Sequence, residues 1–211
     1  MAPPIAIKEN KLLLVEGADA YYFCIWACQA FGVEGIQVVD FGGIDDLSFF
    51  LELLKTLPDY EKVRTIAIAR DAEKNPSGAI ASIKSSLKRA GLPVASKPFE
   101  FKGTKPRVAY LTFPGYKINS KNEITFESGT LEDLCLATIG QDVVMECVEE
   151  YLKCLGNSGH KIKHLHKFKV HAYLSGKNEF TGLKIGEAAK AGAWNWDHKK
   201  LGPFKNIIRN M

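Results

Sequence analysis

The sequence predicts an α/β fold, a parallel sheet flanked by helices with an α-helical C-terminal extension, and three observations predict it. Leu12-Leu13-Leu14-Val15 is continuously apolar, the pattern of a strand buried on both faces, and it runs straight into Glu16 and Gly17. Three strand-then-helix units follow one another through short connections, which argues for parallel strands joined by right-handed crossovers. From Gly129 onward the strand pattern stops and only helical periodicity remains.

The first unit pairs the strand Lys11–Val15 with a helix over 18–31, where Tyr22, Phe23, Trp26, Ala27 and Ala30 form an apolar stripe that Gly32 ends. Gly17 lets the chain turn sharply between them. The second strand covers 36–39 and closes on Asp40-Phe41-Gly42-Gly43, before a helix over 44–57 stopped by Pro58. The third covers 63–69 and closes on Arg70-Asp71-Ala72-Glu73; Asn75-Pro76-Ser77-Gly78 then opens a helix over 79–90. A fourth strand covers 108–113 and stops at Pro114-Gly115, while 97–103 fits no single pattern. The polar, Gly/Asn/Ser-rich stretch 115–129 separates an α/β core over 1–115 from a helical region over 116–211 packed on it as one compact domain. Helices are expected from Leu131, capped by Thr130, and over 141–155, 160–174, 181–191 and 198–208.

With 211 residues, 25% charged and 46% hydrophobic, the chain can bury a substantial core, and its composition implies neither disorder nor coiled coil. A net charge of +4 permits a polyanionic partner without requiring one. The five cysteines, Cys24, Cys28, Cys135, Cys147 and Cys154, are odd in number and lack CxxC spacing, so they read as reduced core residues of a cytoplasmic protein. Met1-Ala2-Pro3-Pro4 lacks the charged start of a signal peptide, and no stretch approaches the roughly 18 apolar residues of a membrane span.

The chemistry gathers at the strand ends. Open parallel sheets place ligands at the carboxyl ends of their strands, where Glu16, Asp71 and Glu73 fall. Neighbouring strands lie roughly 4.8 Å apart, so these acids can share one pocket. Like charges about 4 Å apart repel by roughly 4 kcal/mol at an effective dielectric of 20, so such a cluster needs a counterion. Hard oxygen donors suit Mg²⁺ or Mn²⁺; equally, Arg70 or Lys74 could neutralise the acids with no metal. Gly42 and Gly43 suit either a phosphate-cradling loop or a plain tight turn.

Val15-Glu16-Gly17 after a first strand, Gly42-Gly43 after a second and Asp71-Ala72-Glu73 after a third resemble the Toprim domain. This Rossmannoid fold is shared by topoisomerases, bacterial primases and the overcoming-lysogenization-defect (OLD) nucleases. Gly129-Thr130-Leu131-Glu132-Asp133-Leu134 and the helices after it resemble a small stand-alone Toprim-like family related to the OLD nucleases. The resemblance implies that Glu16 acts as general acid/base beside the metal and that Asp71 and Glu73 hold Mg²⁺. It also implies a further metal acid at Glu132 or Asp133, and Lys167 or Lys169 as a cation facing the transition-state phosphate. Glu73 stands where the family's pair has a second aspartate, and Ala20 where many Toprim domains carry an acid.

The basic stretch 160–169 carries Lys161, Lys163, Lys167 and Lys169, expected on the polar face of one helix, where they would either meet nucleic-acid phosphates or simply be solvated. Trp194, Trp196 and Phe204 fit either base stacking or packing. The expectation is a Mg²⁺- or Mn²⁺-dependent nuclease acting on DNA or RNA, as a homodimer or with a partner ATPase, since no GxxxxGK[ST] motif is present. The alternative is a non-catalytic nucleic-acid or nucleotide-binding module, in phage defence for instance.

Overall fold

The computed structural model describes residues 6–43, 45–140 and 142–211. The N-terminal reading at 1–4 and the helix starts expected at Ile44 and Gln141 lie outside the described residues. The apolar run becomes β1 (Lys11–Val15), which pairs in parallel with β2 (Ile36–Asp40) on one side and β3 (Thr65–Asp71) on the other. Next to β3 comes β4 (Arg107–Phe113), also parallel, so the sheet order is β2-β1-β3-β4. The crossovers are α1 (Gly17–Ala30), α2 (Leu47–Leu54) and α3 (Pro76–Arg89).

Alternation along the strands divides the core into two layers. Leu12, Leu14, Ile66, Ile68, Val108 and Tyr110 face α2 and α3. Leu13, Val15, Ala67, Ala69, Leu111 and Phe113 face α1 and the C-terminal helices. From β1 the chain first steps outward to β2 and then crosses back to β3, so its direction of growth reverses at β1. That is the point at which a doubly wound sheet opens a crevice beyond its strand ends.

The C-terminal region begins with a hairpin, β5 (Tyr116–Ile118) and β6 (Ile124–Phe126), where sequence alone suggested only a polar connection. Its tip is tied by the Asn119 carboxamide, which accepts from the backbone amides of Lys121 and Glu123, with Asn122 at φ +60°. The helices are α4 (Leu131–Ile139), α5 (Val143–Asn157), α6 (Leu165–Ser175), α7 (Ile185–Lys190) and α8 (Gly202–Arg209). Leu131, Leu134, Val170, Leu174, Ile185, Phe204 and Ile207 bury into the same layer as Phe23 and Ala27 of α1, so the helical region and the sheet share one continuous core.

Three expectations need correction. Residues 160–164 are loop, because α5 runs to Asn157 and the chain turns through Gly159 at φ +81° before α6 starts at Leu165. The last two helices are shorter than expected: α7 starts after Lys184, whose amide donates to Glu187 Oε2, and the 198–208 stretch opens with a 3₁₀ turn, Lys199–Leu201. Cys24, Cys28 and Cys135 are buried, but Cys147 and Cys154 are exposed, because α5 lies on the surface with Val148 its only buried residue. Among the described residues no helix is long and apolar enough to cross a membrane.

Candidate functional site

Strand register decides which way each acid points. Val15 stands opposite Ala69, which sets Glu16 level with Arg70 and leaves Asp71 one residue further on. Arg70 continues the Ile66–Ile68 parity, so its side chain turns to the α3 face. There Nη1 donates to Ser82 Oγ at 3.3 Å and Nε lies 3.4 Å from Glu16 Oε2. Asp71 takes the opposite parity and turns toward α4, where its Oδ1 accepts from the Leu131 amide at 2.8 Å. A carboxylate at a helix N-terminus is favoured by the amides and by the helix dipole.

Despite that favour, the Asp71 carboxyl is pushed up to about 7. Burial is the largest cause, followed by the charge of Glu132; the Leu131 amide pulls the other way, and Glu16 and Glu73 add to the rise. Glu16 is also raised, by burial first, with Arg70 opposing and Glu73 and Asp40 reinforcing. Glu132 is itself buried at 8% exposure, and its Oε1 has the Lys167 ammonium at 3.9 Å. Glu73 is exposed and left-handed at φ +52°, because its amide and carbonyl form a two-way bridge with Gly129. The extended backbone that would keep Asp71 and Glu73 on one side therefore ends at Ala72.

The other predicted positions are already engaged locally. Asp133 Oδ2 accepts from the Thr130 amide at 2.9 Å and the Thr130 hydroxyl at 3.2 Å, closing a capping box on α4. Asp133→Ala should cost about 1 kcal/mol of stability in urea denaturation, the usual worth of such a cap. In the glycine turn, the Gly42 amide donates to Asp40 Oδ1 and the Gly43 amide to Asp46 Oδ2, both with distances typical of a closed turn, 2.9 and 2.8 Å. Asp40 Oδ1 also accepts from the Gly17 amide at 2.9 Å, stitching together the loops that follow β1 and β2. Trp194 and Phe204 are buried in the core, in keeping with packing, and Trp194 Nε1 donates to the Ile185 carbonyl.

A groove of about 830 Å³ opens beside the acids. Glu73, Gly129 and Asp133 lie along one part of it, Lys163, His164, His166 and Lys169 along another, and Leu136 and Met145 supply apolar surface. The basic residues do not share a helix face. Lys161 and Lys163 lie on the loop before α6, Lys167 reaches toward Glu132, and Lys169 is bonded to Glu149 of α5. A second cleft, with Lys8, Asp59, Arg64 and Lys105, lies at the opposite, amino end of the sheet and is remote from these acids.

Among the described residues, no three His, Cys, Asp or Glu side chains stand close enough together to hold a metal ion as they are placed. The donor chemistry nevertheless fits one. Glu16 Oε2 is a buried carboxylate oxygen without a hydrogen bond, and Asp71 is raised in part by three neighbouring carboxylates. Oxygen donors of this kind suit Mg²⁺ or Mn²⁺, which at Glu16 would share the carboxylate with the Arg70 guanidinium 3.4 Å from Oε2. Motif order in the sequence points to Glu16, Asp71, Glu73 and Glu132 or Asp133, and gives no sign of Asp40, Ser82 or the Leu131 amide beside them. Only strand parity, counted from Ile66 through Arg70, carried a signal for the partners on the α3 face.

The model of a family described as a protein of unknown function, DUF3226, matches residues 10–211, and the chain belongs to that family. Comparison with curated proteins and with solved structures returned no match.

Proposed function

We propose that this DUF3226 chain is a divalent-metal-dependent enzyme that hydrolyses phosphodiester bonds in nucleic acid. The observation that carries the reading is the Asp71 carboxyl at the point where the sheet's growth reverses, crowded by Glu132, Glu16 and Glu73 and raised to about 7. The order of the Glu16, Gly42-Gly43 and Asp71-Ala72-Glu73 motifs, which resembles the Toprim domain, supports it. So does the cationic wall of the adjoining groove.

Asp71, Glu73 and Glu132 would hold the ion, with Glu16 beside it. When bound, Mg²⁺ or Mn²⁺ would supply polarisation of the phosphate and a more acidic water. Glu16, whose carboxyl is raised by burial, is the group suited to take a proton from the attacking water. The Arg70 guanidinium, itself 2% exposed, orients it. Lys167, mostly exposed, is placed to set positive charge against a phosphate on the Glu132 side. Lys163 and Lys169 line the groove through which a strand would pass, and Lys161 lies on its approach.

The test is cleavage of supercoiled plasmid and of labelled single-stranded RNA with Mg²⁺ or Mn²⁺ against chelator. Wild type should cut only with metal, and Glu16→Gln should lower the rate by about 100-fold or more, the usual worth of a positioned acid/base. Cutting that survives in chelator, or that Glu16→Gln leaves unchanged, would overturn the reading. A non-catalytic nucleic-acid-binding module is the second reading, favoured by the ion pair that already neutralises Glu16 with Arg70. It predicts oligonucleotide binding in chelator and no cleavage under any condition.

A further inference from the structure

On the far side of Glu73 from the cationic groove lies a separate cleft of about 350 Å³, between the end of β3 and the first turns of α3. Arg70, Glu73, Lys74, Asn75, Gly78 and Ser82 line it. The geometry points to this cleft as a subsite for a phosphate group of the substrate, next to the phosphodiester held at the acids. The assignment rests on the phosphodiesterase reading of those acids.

The central observation is Arg70. A guanidinium has five N–H donors and no means of losing its charge at neutral pH. Here it is 2% exposed. Among the described residues its one hydrogen bond runs from Nη1 to Ser82 Oγ, and its Nε, though 3.4 Å from Glu16, is buried without a hydrogen-bond partner. A buried cation with donors to spare is costly unless an anion meets it. Glu16 meets the guanidinium from the sheet side and Ser82 takes one N–H on the cleft side, and among the described residues its remaining N–H groups have no hydrogen bond.

The surroundings repeat the preference. The fourteen-residue α3 aims its N-terminus at the cleft, with Pro76 in its first turn. Asn75 Oδ1 takes only the Gly78 amide, at 2.9 Å, leaving the Ser77 amide and the dipole's positive end available. Ser82 offers a hydroxyl that can donate as well as accept, and Lys74 stands exposed at the rim. Glu73 is the one opposing charge on the lining, and being exposed it is screened by solvent. Because Glu73 and Lys74 border both openings, a strand crossing them would place successive phosphates on either side of the acids.

The experiment is calorimetric titration of the full-length protein with inorganic phosphate in chelator, where the acidic cluster contributes no metal. A separate titration with Mn²⁺ reads that cluster. Wild type should bind phosphate, and Arg70→Gln should weaken it by about tenfold or more, the worth of one charged hydrogen bond. Lys74→Glu, a surface change that leaves the core intact, should weaken it similarly even if Arg70→Gln fails to fold. Lys88→Ala, exposed in the last turn of α3, should leave it unchanged. A short oligonucleotide carrying a 5′-phosphate should compete with inorganic phosphate better than its 5′-hydroxyl counterpart if the subsite takes a chain end, and equally if it takes an internal phosphate. No phosphate binding, binding untouched by both Arg70→Gln and Lys74→Glu, or equal weakening by Lys88→Ala would overturn the subsite. Mn²⁺ binding that Asp71→Asn abolishes, with no phosphate binding, would sink the subsite alone; phosphate binding without Mn²⁺ binding would sink the metal site and leave the subsite standing.

Discussion

Asp71→Asn is expected to stabilise the protein, and to do so more at pH 8 than at pH 5. The carboxyl titrates at about 7 in the folded chain against an ordinary value of 3.8. Between those values the folded state holds a proton that the unfolded state has lost, so the group's contribution to stability falls as pH rises from about 4 to about 7 and is flat above. Asparagine keeps an oxygen for the Leu131 amide and removes the charge that meets Glu132, Glu16 and Glu73. From pH 5 to pH 8 the advantage of the variant should grow by about 2.5 kcal/mol, since each tenfold difference in proton affinity between the folded and unfolded chain is worth about 1.4 kcal/mol. For a chain of this length that is roughly 5–10 °C in melting temperature. Melts in chelator at pH 5, 6.5 and 8 measure it directly. Adding Mn²⁺ should raise the wild-type melting temperature and leave Asp71→Asn where it was, because an ion that binds only the folded state stabilises by mass action. Parallel wild-type and variant curves across pH would mean that burial and the neighbouring carboxylates together do not raise the Asp71 carboxyl.

That crowding was only half visible in the sequence. Continuous apolar runs ending in Glu16 and Asp71 gave both the strands and the acids, because a strand covered on both faces has no polar position to hide its limits. The pairing of the acids was not readable from motif order. Register sets Glu16 beside Arg70 and turns Asp71 to the other face, so the nearest strong influence on Asp71 is Glu132, sixty-one residues later in the chain, and not Glu16. The hairpin over β5 and β6 was missed because its polar turn dominated the composition, while Tyr116, Ile118, Ile124 and Phe126 alternate over only three residues a strand. At α6, the apolar spacing of Ile162 with Leu165 and Phe168 mimicked a helix that a glycine turn at Gly159 delays, and with it went the expected single basic face.

Gly186→Val should cost about 3 kcal/mol, a large overpacking penalty, and lower the melting temperature by roughly 6–12 °C. Gly186 lies in α7 where that helix presses on α1, and a Cβ there would come within 2.3 Å of Tyr22 Cβ. Because Tyr22 is attached at that carbon, rotating its ring gives no relief, and the two helices must separate by about the deficit from an ordinary contact. Ile185, Ala188 and Ala189 of α7 are all buried in the layer that also holds Val15, Ala69 and Phe113, so separation opens the sheet's own core. Gly156→Ala is the matched control: it sits inside α5 with nothing within 4 Å of the added carbon, and should be neutral or stabilising by up to about 1 kcal/mol. The same geometry predicts that a chain ending at Gly115 will not fold as a monomer, since it removes every helix except α1 from that face of the sheet. Two resolved unfolding transitions in Gly186→Val, with the sheet surviving the first, would instead show that residues 1–115 and 116–211 are separately stable. A single transition at lower temperature ties the acids on β1 and β3 to the C-terminal helices, and through α4 it ties Glu132 to Asp71.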